Sequence, residues 1–267
     1  MKKRWSACQL AHQDSHLLQK ITMRQTRLYT PIPLTSNQAI ELDDDNAHYV
    51  RTVLRLKKDA QIILFNGLGG EYFGIVTEVS RKSVRIVLEQ WIERSVESPL
   101  QLSLGLGISR GDRMDLTVQK SVELGVHHIS PLCTERCVVQ FNAEKKSHRL
   151  THWQKIAQHA AEQSGRTLLP QFTDITTLSD WLPQQQGLKV FLDPYANTSL
   201  AELSPIDNKV TLLTGPEGGF SSAERELATA AGFIAVRLGS RILRTETASL
   251  AALAAVQMLW GDFGASS

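Results

Sequence analysis

The predicted secondary structure changes in character near residues 94–98, and this change constrains the fold more than any other feature of the sequence. Before it, strand-like segments with alternating apolar residues follow one another, separated by turns. After it, a strand at 100–109 leads into a helix in which Met114, Val118 and Val122 recur every four residues. Further strands and helices then alternate. The pattern predicts a small, mostly β module followed by an α/β domain built on a mostly parallel sheet.

A glycine-rich turn joins a strand to a helix in "VTLLTGPEGGFSSAEREL" (210–227). The turn does not end in Gly-Lys-Ser/Thr, and its glycines do not follow the Gly-x-Gly-x-x-Gly pattern, so neither common phosphate-binding motif is present. Ser221 and Glu224 have the spacing of a capping box, which predicts that a helix begins here. The turn therefore lies at the carboxyl end of a strand, where open α/β sheets bind ligands.

A second turn follows about twenty residues later in "VRLGSRILRTETASLAAL" (236–253). Thr245 and Thr247 both suit the N-cap of the last helix. Apolar side chains lie beside the glycine, which suits a flat aromatic group such as adenine better than a phosphate. Together the turns indicate a nucleoside-like ligand with little negative charge. Either turn alone is also compatible with an ordinary connection that needs glycine for its backbone geometry.

Composition excludes several classes of protein. The chain has 267 residues, 42% of them hydrophobic and 21% charged, as in soluble globular proteins. Its longest nearly apolar stretch, 248–260, is too short to span a bilayer, so no membrane role is predicted.

Residues 1–96 carry 14 Lys and Arg against 10 Asp and Glu. This mildly basic front half is compatible with nucleic-acid contact and equally with an ordinary solvated surface.

Three cysteines form no disulfide framework and indicate free thiols in a reducing cytoplasm. Cys133 and Cys137, with His148 and His152, approach the spacing of a zinc finger. However, the gap between the two pairs is short and the cysteine segment resembles a strand, so no metal is predicted.

The first 22 residues differ from the rest of the chain. They begin basic but lack the apolar core of a signal peptide. Met23 opens the segment "MRQTRLYTP". We therefore expect translation to begin at Met23 and residues 1–22 to form an extension without a folded role.

Several segments together resemble a known family. "GPEGGFSSAERELA" and "LGSRILRTETASLAAL" are similar to the two C-terminal motifs of the SPOUT methyltransferases. Further matches are to the ribosomal small-subunit RNA methyltransferase E family, which methylates N3 of one uridine in 16S rRNA. They are "RGDRMDLTVQKSVELGV", "PLCTERCVV", "AAEQSGR" and, in the front half, "HYVRTVLRLKKDAQIILFNGLGGEY". The resemblance covers essentially all of residues 23–267.

The resemblance implies a PUA-like β-barrel domain at 23–94 that binds RNA rather than DNA, and a SPOUT α/β domain at 98–267. The SPOUT domain would contain a deep trefoil knot, a rare exception among protein folds. It also implies a homodimer whose active site is completed near the subunit interface, acting on the small ribosomal subunit. S-adenosylmethionine would lie in the knot, held by Leu213, Thr214, Gly215, Leu238, Gly239, Ile242, Leu243 and Thr245.

Methylation of a uridine N3 requires loss of a proton that is held at neutral pH. A buried arginine can stabilise the uridinate that results, and Arg244 is the first choice for this role. Glu162, Arg166 and Glu246 are weaker choices for the base and for supporting contacts. For each of them, a structural ion pair is the alternative interpretation.

The front domain is expected to position the RNA through arginines that contact phosphates. The predicted residues are Arg24, Arg27, Arg51 and Arg55. Solvated surface arginines are the alternative for each of them.

Two other functions are compatible with parts of the sequence. A nicotinamide-dependent oxidoreductase suits the α/β pattern, but no Gly-x-Gly-x-x-Gly follows an early strand. A non-catalytic RNA-binding or ribosome-assembly protein that uses the β module alone leaves residues 210–250 unexplained.

Overall fold

The computed structural model describes residues 26–137 and 142–264. The chain divides between Ser95 and Val96 into two compact units. The predicted N-terminal extension, residues 1–22, lies outside the described residues, as does Arg24.

In its described part, residues 26–95, the first unit is a five-stranded sheet with one helix. Its strands are β1 (Arg27–Tyr29), β2 (Ala39–Glu41), β3 (Gln61–Phe65), β4 (Glu71–Val79) and β5 (Val84–Ile92), in the spatial order β1-β3-β4-β5-β2. Only the β1–β3 pairing is parallel among the pairings of this sheet. Asp43 is the N-cap of helix α1 (Asp44–Thr52), and its carboxylate accepts a hydrogen bond from the Asn46 backbone N–H. Alternating residues of the strands form the core of the first unit, including Ile62, Leu64, Ile86 and Leu88.

The second unit contains a seven-stranded sheet in which every pairing is parallel. Its strands are β6 (Gln101–Gly107), β7 (His128–Cys133), β8 (Gln171–Phe172), β9 (Thr176–Thr177), β10 (Leu188–Leu192), β11 (Lys209–Thr214) and β12 (Ile234–Val236). The order is β12-β10-β11-β6-β7-β8, and β9 also pairs with β7. The predicted parallel α/β fold is confirmed.

Four of the described α-helices of this unit lie between its strands: α2 (Gly111–Glu123), α3 (Ala143–Ser164), α4 (Leu178–Trp181) and α5 (Ser222–Ala230). Helix α6 (Thr245–Trp260) follows the last strand. Helix α2 packs against both α3 and α6. The central strands β6 and β11 are apolar almost throughout, as expected for strands buried on both faces, with Leu102, Leu104, Leu212 and Leu213 almost inaccessible to solvent. Because all the strands run in one direction, their carboxyl ends meet at a single edge of the sheet.

None of the helices in the described part of the chain combines the length and the apolar character needed to cross a bilayer.

Candidate functional site

A cavity of about 350 Å³ lies at the carboxyl ends of β10, β11 and β12. Three segments form its walls: residues 192–195 after β10, 214–220 after β11 and 236–243 after β12. The cavity is therefore at the sheet edge that the sequence predicts, and its volume is within the usual range for small-molecule sites. We call residues 214–221 the first turn and residues 238–245 the second turn.

The first turn is held firmly by backbone contacts. The Gly219 N–H donates to the Pro216 carbonyl at 2.8 Å. Gly107, at the end of β6, lies directly against Pro216, because a Cβ atom at residue 107 would be 2.6 Å from both the nitrogen and Cδ of Pro216. The predicted capping box is confirmed: Ser221 and Glu224 exchange hydrogen bonds between side chain and backbone at the start of α5.

The second turn has fewer contacts with the rest of the protein. Gly239 has a φ of +70° and an open space where a Cβ atom would lie, apart from the Arg241 side chain. The Ile242 side chain is 79% exposed. Within residues 26–137 and 142–264, the guanidinium groups of Arg241 and Arg244 make no hydrogen bond or ion pair.

The N-cap of α6 corrects the sequence prediction. Arg244, not Thr245 or Thr247, is the last extended residue, and its side chain makes no capping hydrogen bond. The reason is that the Ala248 N–H reaches the Arg244 carbonyl at 2.7 Å, which makes Thr245 the first helical residue.

A buried hydroxyl pair connects the two turns. The Ser249 hydroxyl is hydrogen-bonded to the Thr214 hydroxyl at 3.1 Å and to the Thr245 carbonyl at 2.8 Å. Ser249 and Thr214 are almost inaccessible to solvent. The start of α6 is therefore fixed to the end of β11, on the floor of the cavity.

The structure brings most of the predicted cofactor residues to this cavity. Its lining includes Thr214, Gly215, Leu238, Ile242, Leu243 and Thr245. Leu213 instead packs into the core beneath, among Leu132, Phe191 and Phe220. Gly239 lies in the second turn without contributing to the lining.

The predicted catalytic residues lie in different places. Arg244 is exposed and lies in sequence between two residues that line the cavity, Leu243 and Thr245. Glu246 lines a different surface, an apolar groove between α2 and α6. Its Oε2 atom is buried without a hydrogen-bond partner among the described residues.

Arg166 is buried and makes contacts of a structural kind. It donates to both oxygens of Glu97 and to the carbonyls of Val122 and Val126 at 2.5–3.1 Å. Burial lowers the pKa of the adjacent His127, and the charge of Arg166 lowers it further, against the opposing effect of Glu97.

Glu162 is a buried residue of α3, and its carboxylate contacts a residue of the same helix. Its Oε2 atom lies 3.0 Å from Nδ1 of His159, and this hydrogen bond is the main reason that the pKa of His159 is raised. Neither Glu162 nor Arg166 lines the cavity, and their catalytic roles stay predictions.

Three charged residues at the first turn, one within it and two beside it, are not among the site residues predicted from the sequence. The Glu217 Oε1 atom accepts hydrogen bonds from the Arg110 backbone N–H at 3.0 Å and from Nη1 of Arg113 at 3.4 Å. Burial alone would raise the pKa of Glu217. Hydrogen bonds from the backbone N–H groups of Arg110 and of Glu217 itself, together with the charges of Arg113 and Arg110, outweigh this effect, so the pKa lies below its usual value. These three residues belong to quoted motifs, but no spacing rule relates positions more than one hundred residues apart.

The predicted RNA-binding arginines of the first unit differ in their exposure. The Arg27 side chain is only 10% exposed, pairs with the buried Glu71 and stacks over Phe65. Arg51 is half-buried, and its Nη1 atom donates to the Ser80 carbonyl at 3.4 Å. Arg55 is exposed. The geometry therefore makes Arg51 and Arg55 more available to a ligand than Arg27.

No cluster of three or more metal-ligating side chains forms within the described ranges of the chain. The Cys137 thiol instead contacts the Ile108 carbonyl at 3.3 Å, and His152 pairs with Asp115 at 2.9 Å.

Both units of the chain match models of domains found in RNA methyltransferases. Residues 96–257 match the model of an RNA methyltransferase domain, and residues 42–89 match that of an RNA methyltransferase PUA domain. The chain is 36% identical over 241 residues to ribosomal RNA small subunit methyltransferase E of Buchnera aphidicola subsp. Schizaphis graminum, covering 90% of this chain and 98% of that protein. It is 31% identical to the Bacillus subtilis protein of the same name, with 86% and 98% covered.

A solved structure agrees with these matches. Ribosomal RNA small subunit methyltransferase E from Neisseria gonorrhoeae, bound to S-adenosylmethionine, superposes with a TM-score of 0.84 at 38% identity. The superposition covers 90% of this chain and all of that one.

Proposed function

The chain belongs to the ribosomal RNA small subunit methyltransferase E family, and we propose that it transfers the methyl group of S-adenosylmethionine to N3 of a uridine in 16S rRNA. The observation that carries the proposal is the cavity between the two turns, which contains six of the eight residues predicted to bind the methyl donor.

The residues of this cavity fit S-adenosylmethionine. The donor has no phosphate, and the first turn has no lysine to bind one. Leu238, Ile242 and Leu243 provide an apolar surface for the adenine, while the backbone at Thr214 and Gly215 provides polar contacts. When bound, the donor supplies a methyl group activated by a sulfonium; the protein must orient the base and stabilise its anion.

Arg244 is the residue that we propose for stabilising the base. Its guanidinium has no partner among the described residues. The residue itself lies in sequence between two residues of the cavity lining, Leu243 and Thr245. A free cation at this position can bind a carbonyl oxygen of the uracil as negative charge develops on the ring. Glu246 is proposed only as a supporting residue, since it faces the α2–α6 groove.

We propose that the first unit positions the RNA through Arg51 and Arg55, with Arg24 and Arg27 as further contacts. Neutralising Arg51 and Arg55 together is expected to weaken RNA binding and to flatten its salt dependence, because fewer counterions are released. An unchanged salt slope would exclude both residues.

A homodimer through the α2–α6 groove is also proposed. The groove is lined mainly by apolar side chains, including Leu116, which is 41% exposed, and Leu250. A second copy of the chain would cover this surface and give the buried Glu246 oxygen a neighbour. A Leu116→Asp variant should sediment as a monomer; sedimentation identical to that of the wild type would exclude this interface.

The trefoil knot implied by the family resemblance is proposed for the same unit. The match of this unit to the RNA methyltransferase domain model supports it. Mechanical unfolding from both ends should give a contour length shorter than that of an unknotted chain of equal length.

The test of the function is the product. Small-subunit particles and free 16S rRNA from a strain lacking the enzyme are incubated with the protein and labelled S-adenosylmethionine, then digested to nucleosides. Label in N3-methyluridine is expected, and label in another nucleoside would overturn the uridine assignment. RNA binding without any methyl transfer would favour a non-catalytic RNA-binding protein instead.

A further inference from the structure

The short segment that follows β7, residues 134–137, reaches the cavity from a strand outside the three whose ends form its walls. Arg136 of this segment lines the cavity together with residues of the two turns. In the spatial order of the sheet, β7 lies on one side of β11, whereas β12, which leads into the second turn, lies on the other side. Arg136 and the second turn therefore approach the cavity from opposite directions.

A buried carboxylate fixes this segment to the first turn. The Glu135 backbone N–H donates to Oε1 of Glu224 at 2.8 Å, and the Ser221 backbone N–H donates to Oε2 of the same carboxylate at 2.9 Å. Glu224 is almost inaccessible to solvent. The backbone that carries Arg136 is therefore attached to the cavity wall through the same side chain that caps α5.

The Arg136 side chain lies along the first turn. Its Nη1 atom donates to the Gly218 carbonyl at 2.9 Å, and both residues line the cavity. A Cβ atom at residue 218 would be only 2.9 Å from the Cβ atom of Arg136, so the arginine stem occupies the space that a side chain at this position would need. The guanidinium is therefore held at the wall of the cavity, although the residue is exposed.

Most donors of the Arg136 guanidinium are available to a ligand. Of the five N–H donors of an arginine, one is used for Gly218. Within residues 26–137 and 142–264, the guanidinium makes no other hydrogen bond and no ion pair. A planar guanidinium with free donors binds a carboxylate through two parallel hydrogen bonds.

The other three arginines of the cavity lining differ from Arg136 in partner or position. Nε of Arg225 lies 3.4 Å from Oδ2 of Asp193 and is paired with it. Arg237 and Arg241 belong to the segment 236–243, which also provides the apolar surface proposed for the adenine. Among the described residues of the lining, only Arg136 combines a charge without an acidic partner with a position beside the first turn.

Two acidic residues also line the cavity, and both have cationic neighbours. Asp193 pairs with Arg225, and Glu217 lies 3.4 Å from Nη1 of Arg113. Because their charges are partly balanced within the protein, they do not prevent an anionic group from binding beside Arg136.

We propose that Arg136 binds the carboxylate of the amino-acid portion of S-adenosylmethionine, so that the adenine lies at the second turn and the amino-acid portion at the first. The inference rests on the proposed function. Contacts to the adenine alone do not distinguish the donor from other adenosine compounds, whereas a guanidinium recognises a carboxylate that adenosine lacks. Arg136 is therefore a residue that determines the specificity for the donor.

The test compares two ligands by calorimetry. S-adenosylhomocysteine has the carboxylate, whereas methylthioadenosine has the same adenine, ribose and sulfur but lacks the amino-acid portion. Arg136→Met keeps an apolar stem and removes the guanidinium. We expect the Kd for S-adenosylhomocysteine to rise about 10- to 30-fold and the Kd for methylthioadenosine to change less than about twofold, because only the first ligand loses a charge-assisted hydrogen bond.

Two further variants separate recognition of the carboxylate from a general disturbance of the cavity. Arg136→Lys keeps the charge but loses the planar fork, so it should recover part of the affinity for S-adenosylhomocysteine. Arg241→Met removes another exposed arginine of the same lining, at the second turn. It should change the Kd values of both ligands by the same factor.

Three results would overturn the inference: equal losses for the two ligands in Arg136→Met, an unchanged Kd for S-adenosylhomocysteine in that variant, or a selective loss in Arg241→Met instead. The product formed by the wild type tests the proposed function separately. If the wild type yields N3-methyluridine and Arg136→Met binds both ligands normally, only the inference on Arg136 fails. If the selective loss is found but another nucleoside is methylated, only the uridine assignment fails. A wild type that binds neither ligand would overturn both.

Discussion

The two turns that line the cavity at the carboxyl ends of β10, β11 and β12 differ in how firmly the protein holds them. The first turn is closed by a backbone hydrogen bond, lies against Gly107 and leads into a capped helix. The second turn carries an exposed Ile242, two arginines without partners among the described residues, and a helix start without a side-chain cap. One wall of the cavity is therefore packed and closed by hydrogen bonds, whereas the other leaves side chains exposed that a ligand can cover.

This difference suits the two tasks of the site. Backbone donors and acceptors bind a small ligand best when they are already in place, because no ordering cost is then subtracted from the affinity. Side chains that act on a second substrate have to remain accessible until it arrives. The buried Thr214–Ser249 pair connects the two walls, so the exposed side chains of the second turn lie next to a buried contact.

The largest effect is expected from Arg244→Ala in the second turn. Loss of a cation that stabilises charge in the transition state should lower the rate of methyl transfer by about 100- to 1,000-fold. The affinity for S-adenosylmethionine should change less than threefold. Single-turnover rates and calorimetry measure the two quantities, and Arg149→Ala, an exposed arginine on α3, is the control. Near-normal turnover would show that this arginine is not part of the mechanism.

Gly107→Ala tests the rigidity of the first turn. A Cβ atom at residue 107 would displace Pro216, so we expect a loss of about 1–3 kcal/mol of unfolding free energy and a weaker affinity for S-adenosylmethionine. Gly239→Ala is the matched change in the second turn. It has open space but a positive φ, so it should cost about 1–2 kcal/mol of backbone strain without displacing a neighbour. Chemical denaturation and calorimetry measure stability and affinity, and a loss of S-adenosylmethionine affinity as large in Gly239→Ala as in Gly107→Ala would contradict the difference between the turns.

The sequence predicts the parts of this site that depend on local spacing better than the parts that depend on tertiary contacts, for a physical reason. The capping box at Ser221 and the parallel sheet depend on local spacing and on apolar patterning, which are visible in one segment at a time. The prediction of Thr245 or Thr247 as the N-cap is wrong. The backbone geometry makes Arg244 the N-cap, although threonine is generally preferred at N-cap positions. Contacts between distant segments, such as Arg110 with Glu217, depend on tertiary packing and leave no local pattern.

The hydroxyl pair is the next test, because it joins the two turns. Ser249→Ala leaves the buried Thr214 hydroxyl without this partner, which should cost about 1–2 kcal/mol of stability. Thr214→Val should cost a similar amount. The double variant should lose less than the sum, since the second change removes a group that is already unpaired. Additive losses would show that the two hydroxyls do not act together.

The smallest effect is expected from Ile242→Ala, and it separates binding from stability. Because Ile242 is 79% exposed, its truncation removes almost no buried surface from the folded protein, and the unfolding free energy should change by less than about 0.5 kcal/mol. If the adenine covers this side chain, the lost apolar contact should weaken S-adenosylmethionine binding about fivefold, which corresponds to about 1 kcal/mol. Calorimetry on the variant and on Ile206→Ala, a still more exposed isoleucine that is not part of the cavity lining, measures the difference. An affinity equal to that of the wild type would mean that the second turn stays free with the donor bound, and that the first turn alone holds the donor.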